Sequence, residues 1–210
     1  QGSSKFALLR LMEKSSRATG LLFALPYDTM THVKYHTEGI VLKNSPSGES
    51  SSHVWLLTKD FGFIAGHAQS IRELASKLRY SLQDFSHAHV DVVYGRNGWK
   101  ITSAVFIRNF ARASHDGALP AGITAISNIR SLLMRLCRGE EKDDVLFDDV
   151  CRGFSLLSSS SLSSAETERI EIILVMRILS RLGYWGDDAI LSPFLSGDIG
   201  APLHAAGFRE

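Results

Sequence analysis

The chain has 210 residues, with 23 lysines and arginines against 22 aspartates and glutamates, so its formal net charge is +1. This length accommodates two small domains or one large domain. A net charge so close to zero does not indicate a nucleic-acid partner, and such a partner has to be argued from local charge. No apolar run reaches the roughly 20 residues that a membrane span needs, and we expect a cytoplasmic protein without a membrane partner.

The cysteine and histidine content argues against a metal site. Cys137 and Cys151 both fall on apolar stripes of helical stretches, which favours two reduced core thiols over a disulfide. Two cysteines cannot form a four-thiolate zinc site. His87 and His89 lie two residues apart on a predicted strand and are interpreted as solvated side chains. We therefore expect neither a metal nor a cofactor.

Residues 1–29 do not resemble the rest of the chain. Leu8, Leu9 and Met12 can form one face of a short helix, and Met30 stands just before the first strong strand. We interpret 1–29 as an extension, or as the product of an upstream start, of unknown role. The first folded domain is expected to cover residues 30–110.

A two-residue hydrophobic period runs from Lys34 to Phe110 and predicts five short strands. A loop is expected at Asn44–Gly48, a tight turn at Asp60–Gly62, and a helical turn or structured loop at Ser70–Ser81. Five strands with one interruption after the third favour a five-stranded OB-type barrel of the Greek-key kind. The predicted strands are Tyr35–Lys43, His53–Thr58, Phe63–Ala68, His89–Tyr94 and Trp99–Phe106.

From Ala111 onward the pattern becomes helical. One helix ends at Gly139, and Asp144 is expected to cap a second helix. Ser163 and Glu166 form a capping-box pair before a third helix, Thr167–Leu182, that is apolar on nearly every side. The fold class is therefore α+β, with an all-helical domain over residues 111–186 and a tail over 187–210.

No motif indicates an enzyme. The stretch Gly95–Gly98 has the wrong spacing for a phosphate-binding loop and lies between strands, and no Gly-x-Ser-x-Gly elbow occurs. Acids at 143–144 and 148–149 suit the first turns of a helix, where its dipole favours negative charge, without any metal. We expect a non-catalytic protein with no small-molecule substrate.

Charge is segregated along the chain although its total is near zero. Basic residues cluster after the third strand and flank the predicted barrel loops, while residues 140–149 carry six acids against one lysine. A basic barrel surface with aromatic side chains nearby is typical of single-strand binding. The alternative is an ordinary solvated face. The candidate DNA-binding residues are Lys43, Arg72, Lys77, Arg79, Arg96 and Lys100.

The stretch Tyr35–Lys43 resembles the opening strand of RecO proteins. It is followed by Gly48-Glu49, Leu56-Leu57-Thr58 and Gly62 in the order that this family shows. The helical half adds Leu146-Phe147 and the ending Arg177–Tyr184. The resemblance covers about residues 30–185, including Ser76-Lys77-Leu78-Arg79, Leu82-Gln83 and Phe85 after the third strand.

The resemblance implies an N-terminal OB barrel and a C-terminal helical domain. It implies binding of single- and double-stranded DNA, annealing of complementary strands and assistance in loading the RecA recombinase, by a nucleoid-associated protein. Its implied partners are RecR and the C-terminal tail of single-strand-binding protein. Gln69-Ser70 replaces a common Lys-Gly, and a four-cysteine zinc module is ruled out. The alternative is an adaptor that keeps the fold with little DNA affinity of its own.

Arg130 and Arg135 are the candidate partner-binding residues. Arginines three and four positions from apolar helix residues can border an apolar face. An arginine can also hold a carboxylate through two parallel hydrogen bonds, which suits an acidic tail that ends in an aromatic residue. The alternative is that both arginines form the solvated side of an ordinary core helix.

Overall fold

The computed structural model describes residues 33–71, 76–112, 119–120, 122–159, 162–184, 195 and 199, without the side chain of Lys77. The chain divides into two units, Gln1–Val33 and Lys34–Glu210, and every described strand and helix belongs to the second. The helix expected around Leu8, the domain start at Met30 and most of the tail 187–210 lie outside the described residues.

Five strands close into a barrel in the order β1-β2-β3-β5-β4. Neighbouring strands are antiparallel except for β3 and β5, which pair in parallel. The short helix α1 (Lys77–Ser81) lies in the connection from β3 to β4. The five-stranded sheet followed by helices confirms the α+β class. The strands are β1 (Lys34–Ser47), β2 (Ser51–Thr58), β3 (Gly62–Ala68), β4 (Ser86–Gly95) and β5 (Gly98–Asn109).

The prediction of a loop at Asn44–Gly48 is wrong for the first four of these residues. Strand β1 continues to Ser47, and Pro46 and Ser47 pair with Ser52 and Ser51 of β2. This end of β1 pairs with β2 alone, because the pairing with β4 stops at Ile40. A strand with one paired edge tolerates a proline, and a turn-like composition therefore does not end it.

The barrel interior is filled by alternate residues of all five strands. Val54 and Leu56 of β2 are fully buried, while His53, directly before Val54, is exposed. The predicted turn at Asp60–Gly62 is confirmed, and Gly62 adopts a positive φ of 63°. The Thr58 hydroxyl donates to the Gly62 carbonyl at 2.8 Å and fixes this turn. Other interior residues include Val41, Ile64, Ala88, Val90, Val92, Trp99 and Ile101.

In the described part of the chain, three helices follow the barrel: α2 (Ile123–Leu136), α3 (Asp144–Leu157) and α4 (Ser164–Arg181). The capping box is confirmed, with the Glu166 backbone N–H donating to the Ser163 hydroxyl oxygen at 3.3 Å. The cap of α3 is Asp143 and not Asp144, because the Asp143 carboxylate accepts the backbone N–H of Leu146 at 2.8 Å. Helix α4 is not buried on every side, since Ile172 is 51% exposed.

One apolar cluster joins the helices to the outer side of the barrel. Ile40 and Leu42 of β1 and Leu57 of β2 point away from the barrel interior and pack in this cluster. The helices contribute Ile126, Leu133, Phe147, Val150, Phe154, Leu174 and Ile178. Because this cluster spans the domain boundary expected at residue 110, that boundary stays a prediction. Within the described ranges, no helix combines the length and apolarity needed to span a bilayer.

The interpretation of His87 as a solvated side chain is wrong. His87 is 4% exposed and lies where β4 meets α3, with the Glu38 carboxylate 3.2 Å from Nε2 and the Cys151 sulfur 3.9 Å from Nδ1. His89 is exposed. The two histidines differ because His87 is buried against segments that are distant in the sequence. The pattern of a single strand does not show such contacts. Cys151 and Cys137 are both free.

Candidate nucleic-acid interface

A patch of basic and aromatic side chains covers part of the outer side of β1, β2, β3 and β5. Directly paired residues of a sheet lie on the same face. In one row Lys43 pairs with Trp55. Two positions along the strands, His53 pairs with His67, which pairs with Lys100. We call these five residues the barrel face. Lys43, His53 and Lys100 are exposed, and Trp55 and His67 are half-buried.

Direct contacts order the side chains of the barrel face. The Lys43 ammonium lies 5.4 Å from the centroid of the Trp55 ring. The rings of His53 and His67 meet edge to face with centroids 5.4 Å apart, and those of His53 and Trp55 are 6.4 Å apart. The ammonium and the indole ring therefore lie together, and a nucleotide's phosphate and base need a positive charge and an aromatic ring close to each other.

Two turns flank the barrel face. Gly48–Ser50 joins β1 to β2, and Arg96 lies exposed in the turn between β4 and β5, four residues before Lys100. The positive φ of 92° at Gly98 closes this second turn. The structure therefore brings Lys43 and Lys100 onto one surface and places Arg96 on an adjoining loop.

In the basic segment after β3, Arg79 lies on a different surface from the barrel face. Arg79 is exposed on α1, and its neighbour Tyr80 packs on Phe106 of β5 with ring centroids 4.7 Å apart. Phe106 lies six residues beyond Lys100, about 20 Å along an extended strand. Arg72 and the side chain of Lys77 lie outside what the structure describes. Arg79 is thus not part of the barrel face.

The two arginines predicted to bind a partner have different surroundings. Arg130 lies 3.4 Å from the Asp84 carboxylate, and its guanidinium carbon is 4.9 Å from the Phe85 ring centroid. Arg135 is exposed in the last turn of α2. Arg130 therefore joins α2 to the segment before β4, and Arg135 is the more accessible of the pair.

Charge pairing distinguishes the lysines of the barrel face from three other lysines. Lys34 contacts Asp91 at 2.6 Å, Lys142 contacts Asp60 at 3.3 Å and Lys59 contacts Asp148 at 3.3 Å. The hydrogen bond and charge of Asp148 raise the pKa of Lys59 above 10.5. In the described part of the chain, by contrast, no carboxylate forms an ion pair with Lys43, Arg96 or Lys100. Their charges are open to an anionic ligand.

Across the described ranges, no three histidine, cysteine, aspartate or glutamate side chains converge as a metal site would require. Burial raises the pKa of the Cys137 thiol to about 11, so this sulfur stays protonated and unreactive at neutral pH.

Sequence analysis missed three residues of the barrel face, namely His53, Trp55 and His67. The signal was present in β2, where His53 and Trp55 alternate with the apolar residues Val54 and Leu56. An aromatic residue on the polar side of an alternating strand indicates an exposed aromatic surface. The partnership with His67 required the register of β2 on β3.

The comparison with protein families identifies a domain model that the barrel region matches. Residues 30–110 match the model of the recombination protein O N-terminal domain. The chain is similar to the RecO family. Curated RecO relatives extend the match into the helical half, because one alignment of 150 residues is longer than the barrel region.

Three RecO relatives, each described as a DNA repair protein, illustrate this similarity. The chain is 27% identical to that of Heliobacterium modesticaldum over 71% of this chain and 52% of the relative. It is 28% identical to that of Thermodesulfovibrio yellowstonii over 73% and 59%. It is 32% identical to that of Dehalococcoides mccartyi over 36% and 30%. The chain thus spans about half the length of the first two relatives.

Proposed function

We propose that the barrel is of the OB type and that its face binds single strands of nucleic acid. The observation that carries this proposal is the exposed Lys43 ammonium above the Trp55 ring, beside His53, His67 and Lys100. Lysines neutralise phosphates, and an aromatic ring that is partly accessible, as in Trp55, can stack with bases irrespective of their sequence.

The topology supports an OB-type barrel. The sheet order β1-β2-β3-β5-β4, the parallel pairing of β3 with β5 and the helix between β3 and β4 suit a five-stranded Greek-key barrel. OB folds bind oligonucleotides through strands 2 and 3 and through the loops 1–2 and 4–5. In this chain those positions hold Trp55, His67, the turn at Gly48 and the turn with Arg96.

On this basis the protein acts as a non-catalytic recombination mediator in DNA repair. The RecO similarity supports binding of single- and double-stranded DNA, annealing of complementary strands and assistance to RecA. Annealing needs no bond chemistry, since a surface that neutralises phosphates brings two strands together. Residues 30–110 are the OB domain, 111–186 the helical domain, 1–29 an extension and 187–210 a tail.

The partners proposed with this function are RecR and the acidic tail of single-strand-binding protein. For the tail, Arg135 is the better candidate contact because its side chain is exposed, whereas Arg130 contacts Asp84 and Phe85. Calorimetry with a synthetic acidic tail peptide should show weaker binding for Arg135→Ala. An unchanged peptide affinity in this variant would place the tail on another surface.

The alternative is a protein-bridging adaptor with little DNA affinity. The observation that favours it is the formal net charge of +1, which provides little long-range attraction for DNA. Fluorescence anisotropy with a labelled oligonucleotide at low and moderate salt separates the two functions. The mediator binds with strong salt dependence, and the adaptor binds weakly at both salt concentrations.

The barrel face is tested with Lys43→Gln, Lys100→Gln and Trp55→Ala, measured by the same anisotropy. Each lysine change should lower the log–log salt slope by roughly 0.7 if it removes one phosphate contact from a single strand. Trp55→Ala should weaken binding by about 1–3 kcal/mol with little change in slope. Lys59→Gln is the matched control, because it removes the same charge from a lysine already paired with Asp148.

A second set of variants tests the basic segment after β3. Neutralising Arg72, Lys77 and Arg79 together should weaken single-strand binding and flatten its salt dependence if this segment meets phosphates. If the slope is unchanged here but falls in the Lys43 and Lys100 variants, the strand lies on the barrel face alone. If neither set changes the slope, the nucleic-acid proposal for the barrel is wrong.

A further inference from the structure

A cavity of about 360 Å³ lies between α1, the end of β5 and the segment before β4. This volume is in the lower part of the range of about 300–1,000 Å³ that small-molecule sites occupy. No residue of the barrel face lines it. Its lining residues are Tyr80, Gln83, Asp84, Phe106, Asn109, Ala111 and Arg112.

The cavity combines an exposed aromatic ring with a free cation. Tyr80 is 49% exposed although one side of its ring packs on Phe106. The Arg112 guanidinium donates a hydrogen bond to the Tyr80 hydroxyl at 3.1 Å. Across the described residues, no carboxylate forms an ion pair with Arg112. One ring surface and one positive charge are therefore both available at the same place.

Asp84, the one acid among the described residues that line the cavity, is already paired. The Asp84 carboxylate lies 3.4 Å from the Arg130 guanidinium, and it accepts the backbone N–H of Asn44 at 2.8 Å. These two contacts offset its negative charge, so it does not repel an anion near Arg112. Gln83 is exposed and carries an amide, whose donor and acceptor match the edge of a nucleobase.

We infer that this cavity holds one nucleotide of the same strand that crosses the barrel face, with its base on Tyr80 and its phosphate on Arg112. The inference rests on the proposed function and extends it. A base and its phosphate need an aromatic surface and a cation in close proximity, and the Tyr80–Arg112 pair supplies both. The amide of Gln83 contacts the base edge.

The contacts of Asn44 connect the cavity to the barrel face. Asn44 follows Lys43 directly in β1, and its side-chain amide donates to the Leu82 carbonyl at 2.7 Å. Its backbone N–H reaches Asp84, which lines the cavity. The segment that holds Leu82 and Asp84 therefore lies beside β1, next to Lys43 in the chain. The cavity lengthens the site and does not create a second one.

The test is anisotropy with labelled oligothymidylates of several lengths on the whole protein. For long oligomers, Tyr80→Ala and Arg112→Gln should each weaken binding by about five- to tenfold, the size of one lost stack or phosphate contact. The shortest oligomers that bind occupy only the barrel face and should show no loss. Tyr80→Phe keeps the ring and should bind like the wild type.

Tyr184→Ala is the matched control, because it removes an exposed tyrosine, 64% accessible, from the end of α4. Thermal melting of each variant separates loss of binding from loss of folding, and Arg112→Gln leaves the packing of Tyr80 on Phe106 in place. Cross-linking of 5-iodouracil oligomers, followed by mass spectrometry, should identify Tyr80.

The outcomes separate this inference from the proposed function. If the wild type binds long and short oligomers and the Tyr80 and Arg112 variants do so equally well, the inference alone is overturned. If the wild type binds no oligomer, both are overturned. If oligomer binding is unchanged but an acidic peptide ending in phenylalanine loses affinity in the Arg112 variant, the cavity is a peptide site and the inference is wrong.

Discussion

The Trp99 indole donates a hydrogen bond from Nε1 to the Glu140 carboxylate at 3.0 Å. Trp99 is a barrel residue, 4% exposed, whose ring packs among Tyr35, Phe61 and Tyr94. Glu140 lies 41 positions later, between α2 and α3. The acidic segment that begins at Glu140 is thus attached to the barrel through the indole N–H of a buried side chain.

Loss of this carboxylate should destabilise the protein slightly. Glu140→Ala is expected to lower the free energy of unfolding by about 1 kcal/mol, because the indole N–H loses its acceptor. Glu140→Gln keeps an acceptor oxygen and should lose less. Urea denaturation followed by tryptophan fluorescence measures both. Equal losses in the two variants would show that the carboxylate stabilises the fold through its charge and not through the hydrogen bond.

Gly62 should tolerate no side chain. A Cβ at this position would lie 2.1 Å from the Glu141 carbonyl oxygen, and its φ of 63° already disfavours other residues. Gly62→Ala is expected to lower the free energy of unfolding by about 2–4 kcal/mol. Gly48→Ala is the control, since φ is similar and no atom lies within 4 Å of the added carbon. It should lose about 1 kcal/mol. Similar losses of stability in Gly62→Ala and Gly48→Ala would show that the contact with Glu141 does not cause the loss.

Stability should depend on pH through His87. Burial lowers its pKa from 6.5; Glu38 opposes this shift, and Arg108 and His89 add to it. Because the folded pKa lies below the unfolded one, the unfolded chain binds more protons between the two values. The free energy of unfolding therefore falls as the pH decreases through 6.5 and levels off below the folded pKa. His87→Gln should reduce this fall between about pH 7 and 5.5 in urea titrations. An identical pH dependence in wild type and variant would assign it to other groups.

The ion pair of Arg177 with Asp149 should be sensitive to loss of one partner. The Arg177 guanidinium lies 2.9 Å from the Asp149 carboxylate, and their side chains are 4% and 14% exposed. Arg177→Met leaves a carboxylate in a low-dielectric environment and should lower the free energy of unfolding by about 3 kcal/mol. Adding Asp149→Leu should recover most of this loss. A double variant as unstable as the single one would show that Arg177 stabilises the fold mainly through its other contacts.

Arg130 and Arg135 should differ in their effect on folding. Arg130→Ala removes the contacts with Asp84 and Phe85 and is expected to lower the free energy of unfolding by about 1 kcal/mol. Arg135→Ala removes an exposed side chain and should change it by less than about 0.5 kcal/mol. Thermal melting measures both. A larger effect at Arg135 would contradict the structural role given to Arg130.

Local sequence patterns predicted those strands and helices whose structure depends on residues close in the sequence. The alternation of Val90 and Val92 indicated β4, and the spacing of Ser163 and Glu166 indicated the start of α4. The strand extension through Pro46 was missed, because its turn-like composition is overridden by pairing with β2. Tertiary pairing decides such cases, since strand propensity depends on neighbours.

The candidate site depends more on long-range geometry, and less of it was predictable. Lys43 and Lys100 were identified from charge, but their common surface follows from the register of four strands. The burial of His87 depends on Glu38, 49 positions away, and on helix α3. No pattern within β4 contains that information, so its two histidines looked alike.

The parallel contact between β3 and β5 comprises three residue pairs, and the middle pair is His67 with Lys100. Short ladders exchange their amide hydrogens faster than long ones, because local opening breaks fewer bonds. The surface proposed to hold a DNA strand therefore crosses the place where the barrel opens most readily. A strand bound to both His67 and Lys100 would fasten β3 to β5, and protection of these amides would report its binding directly.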